Sequence, residues 1–198
     1  MAALPKALSA ALLSLPLLSG LSGLASPAYA APEDDRVRAA LEALEANAVS
    51  GRFREEKAVA GFPKPMVSEG VFSLADGTLH WDAETPFPSK MTISAQGIVF
   101  EAGGSTTSAA VGGGAAEILS SFLSGRIDRI KARFDVRAGF EGDRLVVTAV
   151  PKDEAMRAAV SSVTIRARGD IESAVIESAA GDVSTILFSN VRRAPRDH

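Results

Sequence analysis

Apolar positions recur along this chain at two periods, and the change from one to the other outlines its elements. In "EDDRVRAALEALEANAV", residues 33–49, the side chains Val37, Leu41, Leu44 and Ala48 fall on one helical stripe. The spacing predicts a helix there, with Glu33, Asp34 and Asp35 in its first turn, where negative charge suits the helix dipole. From Phe53 the period becomes two. Phe72 and Leu74 alternate in "GVFSL", Asp76-Gly77 is a hairpin turn signal, and Leu79 and Trp81 share the next apolar face, opposite His80 and Asp82. Pro86 and Pro88 interrupt the ladder; Met91 and Ile93, then Ile98 and Phe100, continue it. Residues 103–114, "GGSTTSAAVGGG", read as a loop with no packing face. Residues 115–124 predict a short helix with Ile118, Leu119, Phe122 and Leu123 adjacent on its surface and Gly125 as its stop. Strands resume with Phe134, Val136 and Phe140, then Leu145 and Val147. After Pro151 comes a loop with one helical turn in "KDEAMRAA". Val163 and Ile165, then Val175 or Ile176, then Val183, Thr185 and Leu187 complete a meander, and residues 192–198 form a polar, loose tail.

Nearly every strand has one apolar and one polar side, the mark of an antiparallel sheet with one wet face and one covered face. The expected class is α+β: a curved, mostly antiparallel sheet with short helices. Whether it closes into a barrel that packs its own interior, or stays an open half-barrel under helices, the pattern alone leaves open.

The first thirty residues have a different character. Lys6 is the sole charge before Glu33, an apolar run interrupted by Pro16 and Gly20 follows it, and Ala28-Tyr29-Ala30 is an A-x-A cleavage signal. This is the pattern of a secretory signal peptide cleaved after Ala30, which leaves one domain over residues 31–191 and the tail. The chain has 24 acidic against 21 basic residues, which argues against nucleic acid as a partner. It has no Cys, so an exported product carries no disulfides and rests on core burial. Export without cysteine suggests the bacterial periplasm. Two His and no Cys make a zinc site improbable, and no cofactor motif is present. Ser105 and Ser108 lack the strand–turn–helix context of a hydrolase, and Gly112-Gly113-Gly114 is not followed by the Lys-Ser/Thr of a phosphate loop. Arg126, Arg129, Lys131 and Arg133 form a basic cluster; most such clusters are a solvated face, and the alternative is a docking site for anionic headgroups or for an inner-membrane partner.

The order of segments resembles the LolA/LolB superfamily of periplasmic lipid and lipoprotein carriers. "GRFREEK" after the first helix is similar to the family's Phe-x-Gln strand, with Glu55 in place of Gln. "SEGVFSL…TLHWDAETP" is similar to its Trp hairpin through Gly70, Trp81 and Pro86. "EILSSFLSGRIDRIKARFDV" resembles the middle helix and the following strand, and residues 144–191 resemble the closing meander, with Val150-Pro151 and the turn at Gly181-Asp182. In the lipoprotein carriers an Arg-Pro step precedes the aromatic strand, and its Arg latches a lid; here that turn is Asp76-Gly77. The resemblance implies a LolA-like, unclosed half-barrel without catalytic residues, working as a monomer. Its cargo would be an acyl lipid or a lipoprotein, taken from an inner-membrane exporter to an outer-membrane acceptor. A lipid-sensing interaction module of the same fold is the alternative. The acyl cavity it implies would be lined by Phe53, Phe72, Leu74, Leu79, Trp81, Met91, Ile93, Ile98, Phe100, Phe134, Val136, Phe140, Leu145, Val147, Val163, Ile165 and Leu187. Ile118, Leu119, Phe122 and Leu123 would form the lid.

Overall fold

The computed structural model describes residues 32–109 and 115–194, without the side chains of residues 32–34, 109 and 115–118. The proposed signal peptide and Gly112-Gly113-Gly114 lie outside the described residues.

After helix α1 (Pro32–Ala43) come six strands in sequence: β1 (Ala48–Ala58), β2 (Met66–Ala75), β3 (Thr78–Thr85), β4 (Ser89–Ser94), β5 (Gly97–Ala102) and β6 (Ser105–Ala109). Two helices, α2 (Ala115–Leu123) and α3 (Ile127–Arg133), lead to β7 (Phe134–Glu141) and β8 (Arg144–Pro151). The one-turn helix α4 (Glu154–Arg157) precedes β9 (Val160–Arg168), β10 (Asp170–Ser178) and β11 (Val183–Ala194). All eleven strands lie in one antiparallel sheet of order β6-β5-β4-β3-β2-β1-β11-β10-β9-β8-β7. The first strand pairs with the last, which joins two meanders into a continuous surface, and β6 and β7 are its two edges. The sheet is unclosed, and the α+β half-barrel class is the one observed.

Four local expectations are corrected. Helix α1 ends at Ala43 rather than residue 49: Ala48 and Val49 pair with Ala75 and Leu74 on one side and Ala194 and Arg193 on the other. Val49 is 1% exposed there, so a β-branched residue with ladder partners on both sides prevails over a helical stripe whose last member is only Ala. Residues 105–109 are an edge strand, not a loop. Gly103 and Gly104, at φ +58° and +80°, make the two-residue turn that folds β6 back on β5, a backbone most side chains resist. Helix α3 was not expected; Ile127 and Ile130, three apart on it, pack against the core. Residues 192–194 are not a loose tail but continue β11 against β1. The single helical turn after Pro151 forms as read, with Asp153 Oδ1 accepting from the Met156 amide at 3.0 Å.

Candidate functional site

Register brings the apolar positions of both meanders to one face. Val49, Leu74, Leu79, Ile93 and Ile98 are directly cross-strand from β1 to β5, and beside them run Phe72, Trp81, Met91 and Phe100. In the second meander Val136, Ala149, Val163 and Ile176 form one row. Ala138, Val147, Ile165 and Ala174 form the next, and Phe140, Leu145, Ala167 and Ile171 a third. Ile186 and Phe188 on β11, opposite Glu55 and Phe53, join the halves. The other face is polar and carries ion pairs between half-exposed groups: Arg52–Glu84 at 2.7 Å, Arg54–Glu69 at 2.6 Å, Arg144–Glu172 at 2.6 Å. Hydrogen bonds to Glu69 and then Glu56 raise Arg54 above the ordinary arginine pKa. Such exposed pairs contribute little to stability and mark this as the wet side. His80 and Asp82 stand on it, with His80 Nδ1 3.3 Å from Thr92 Oγ1.

The residues expected to line a cavity divide as follows. Phe53, Phe72, Leu74, Leu79, Trp81, Ile93, Phe134, Leu145, Val147, Val163 and Ile165 are buried on the apolar side. Met91, Ile98, Val136 and Phe140 are half-buried against the same core. Phe100 shares the face, opposite Met91, but is 44% exposed. Leu187 is a correction: it is 50% exposed, opposite Arg54 on the wet side. The strand "STILFSN" has apolar side chains on both faces, and the inward pair is Ile186 and Phe188, at 2% and 9% exposure. Val175 and Ile176 resolve in favour of Ile176. Trp81 sits in an aromatic cluster: its ring stacks on Phe53 with centroids 3.8 Å apart, lies 5.9 Å from Phe72 and meets Phe188 edge-on at 6.3 Å.

Helices cover part of this face. On α2, Leu119, Phe122 and Leu123 are buried at 5%, 5% and 1%, and Ile130 of α3 at 2%; the side chain of Ile118 is outside the described residues. Val37, Leu41 and Leu44 of the α1 stripe pack alongside. Arg36 lies 3.6 Å over the Phe140 ring and donates to the Gly142 carbonyl at 3.3 Å, which holds α1 against β7. Between the helices and the sheet, bounded by Leu41, Phe122, Ile130, Val147 and Ile165 among others, there remains a void of about 20 Å³. That is room for roughly one water molecule. Leu119, Phe122, Leu123 and Ile130 therefore occupy the space that an apolar guest under the helices would use.

Two contacts pin the helix ends, and neither was expected from sequence. Gly125 has φ +65°, and a Cβ there would lie 2.2 Å from the Leu44 carbonyl oxygen. The glycine thus serves a close approach of two backbones as well as a helix stop. Ala46 N donates to Ser124 O at 3.3 Å across the same junction. Arg193, its side chain only 11% exposed, donates from Nη1 to Leu44 O at 2.7 Å and Leu123 O at 3.1 Å, while its Nε pairs with Asp170. One guanidinium so joins the C-terminal ends of α1 and α2 to the sheet. The register shift between Ser50 and Arg52 puts an extra residue in β11, where Asn190 has φ +52°, and this turns Arg193 to the side of Val49. Among the described residues, no cluster of three or more His, Asp or Glu is placed to hold a metal.

Fold and face define a class: an unclosed half-barrel whose apolar face is covered by short, separately connected helices. No family model and no curated protein matches the chain. Among solved structures it is similar to a LolA superfamily protein from Nitrosomonas europaea, at 9% identity and TM-score 0.44, over 83% of this chain and 94% of that one. It is also similar to the Mycobacterium tuberculosis lipoprotein LppX, at 12% identity and TM-score 0.41, over 83% of this chain and 95% of that one. A third likeness, to a DUF1329 family protein from Desulfovibrio piger, has 9% identity and TM-score 0.40 over 79% and 92%. At such scores likeness carries no weight by itself, and the unclosed sheet stands on its own strand pairing.

Proposed function

We propose that this chain is a periplasmic carrier, exported and cleaved after Ala30, that shields the acyl chains of a lipid or lipoprotein between its apolar sheet face and its helices. It would load at an inner-membrane exporter, cross as a monomer and unload at an outer-membrane acceptor. The observation that carries this reading is the nature of the cover. The apolar face is a continuous sheet surface, but what fills it comes from short helices rather than from a closed barrel wall.

Displacing Leu119, Phe122 and Leu123 forfeits about 1.5–3 kcal/mol each, and each buried methylene returns about 0.8 kcal/mol. About eight methylenes therefore offset the opening of α2, and a chain of about 16 carbons exceeds it. Arg193 is the counterpart here of the latch that the resemblance would put in the β2–β3 hairpin, where Asp76-Gly77 stands. Release of its bonds to Leu44 and Leu123 would precede or accompany loading. The lining is the apolar set above without Leu187, and the work requires no acid, base or nucleophile.

The test is extraction of the protein from a periplasmic fraction, followed by mass spectrometry of its lipids and by reloading of the delipidated protein from vesicles. Acyl lipid near one equivalent, removed and regained, is expected. A protein that emerges free of lipid and takes up none overturns the reading.

A further inference from the structure

Beside the covered face lies a cleft that the carrier reading does not use. It has a volume of about 600 Å³ and opens between α2, α3 and the turns that join β2 to β3 and β4 to β5. That size falls within the range of small-molecule sites. It runs into a smaller hollow of about 60 Å³ with which it shares Gly77, Ser120, Ser121 and Arg129. The walls carry polar side chains, Ser120 from α2, Thr78 and Gln96 from the hairpins, beside Ala95 and Ala132. The floor is apolar, Ile93 in the cleft and Leu74 in the hollow, both buried members of the covered face.

The charges are unbalanced. Among the described residues Arg129 lines the cleft and Arg126 the hollow, and the carboxylate in their lining is that of Asp76. Among the described residues Arg129 makes no ion pair. Among the described residues the Arg126 Nε is withdrawn from solvent with no hydrogen-bond partner. Leaving a buried donor unsatisfied is unfavourable, the more so on a charged group, so an acceptor that reached it would be favoured. A guanidinium offers parallel donors that match the oxygens of a phosphate.

We infer that this cleft receives the anionic, phosphate-class headgroup of the cargo, held by Arg126 and Arg129, while its chains pass over Ile93 and Leu74 beneath α2. The inference rests on the carrier reading and deepens it: the cargo is an amphiphile with a negative head rather than a neutral glyceride. Ser120 and Thr78 supply hydroxyls for the remaining oxygens. Because α2 forms one wall of the cleft and the cover of the face, a bound head steadies the helix in the position that admits the chains.

Binding of two probes with the same oleoyl chain, lysophosphatidic acid and monooleoylglycerol, to the delipidated protein tests this. Wild type is expected to bind the anionic probe at least about tenfold more tightly, the worth of one charge-assisted hydrogen bond. Arg126→Gln/Arg129→Gln should reduce that preference to within about twofold and leave monooleoylglycerol affinity unchanged. Arg129→Gln alone, which alters an exposed side chain, gives the same reading at reduced size if the double variant does not fold. Equal affinity of wild type for the two probes overturns the headgroup site, as does a preference that survives the substitutions. Inorganic phosphate that binds the same arginines while lysophosphatidic acid gains nothing over monooleoylglycerol overturns it in favour of a free-anion site. If neither probe binds, the carrier reading itself fails.

Discussion

Arg193, near the end of the last strand, donates to the carbonyl oxygen of Leu123, the final residue of α2, at 3.1 Å. The same Nη1 reaches Leu44 O at 2.7 Å, and Asp170 holds the guanidinium from the other side. Residues far apart in the chain are thereby joined where α2 would leave the sheet.

Replacing Arg193 by Gln removes both carbonyl contacts and the ion pair. Hydrogen bonds to a charged group contribute about 1.5–3 kcal/mol, so local opening of α2 should rise about tenfold or more. Hydrogen exchange should show lower protection in residues 119–124, with protection in β8 unchanged. Unaltered exchange in residues 119–124 would mean that Arg193 does not restrain the helix.

Gly125→Ala should destabilise the protein. The left-handed backbone alone costs about 1–2 kcal/mol for a residue with a Cβ, and the contact at 2.2 Å from Leu44 O adds to it. A lower midpoint in urea at constant slope is expected. A midpoint equal to wild type would show that the junction of α1 and α2 yields freely.

The two faces of β11 can be separated by substitution. Ile186→Ala empties a buried position and should cost about 2–4 kcal/mol, whereas Leu187→Ser on the wet side should stay within about 0.5 kcal/mol. Comparable losses from both would contradict the register of β11 against β1.

Trp81, stacked on Phe53, is the only tryptophan of the chain and reports on the aromatic cluster. Titration of delipidated protein with lysophospholipid should change its emission. Constant emission at concentrations where equilibrium dialysis shows binding would place the guest elsewhere on the face.

Phe122→Glu should reverse the usual order of effects. A carboxylate in place of a ring that is 5% exposed cannot lie on the apolar sheet unless it is protonated, so α2 should stand open. The carrier reading predicts a folded sheet by circular dichroism, weaker lipid retention and low protection of α2. Global unfolding would instead identify α2 as a fixed part of the core.

Much of the architecture was determined by alternation alone. Phe72 and Leu74, Leu79 and Trp81, Met91 and Ile93, Leu145 and Val147 each mark a strand and its buried side, because a period of two leaves a side chain only two directions. The helix around Leu119 and Phe122 was equally legible. Where both directions carry apolar residues, as at Ile186, Leu187 and Phe188, alternation is silent, and pairing of Phe188 with Phe53 decided the face. Val49 passed from helix to strand because two neighbouring strands supplied hydrogen bonds that no local window contains. Arg193 was hidden for a similar reason. Its direction depends on one extra residue near Asn190, and its partners Leu44, Leu123 and Asp170 come from three distant parts of the chain. Local spacing determines which residues can be buried; long-range backbone pairing and its irregularities decide which of them meet.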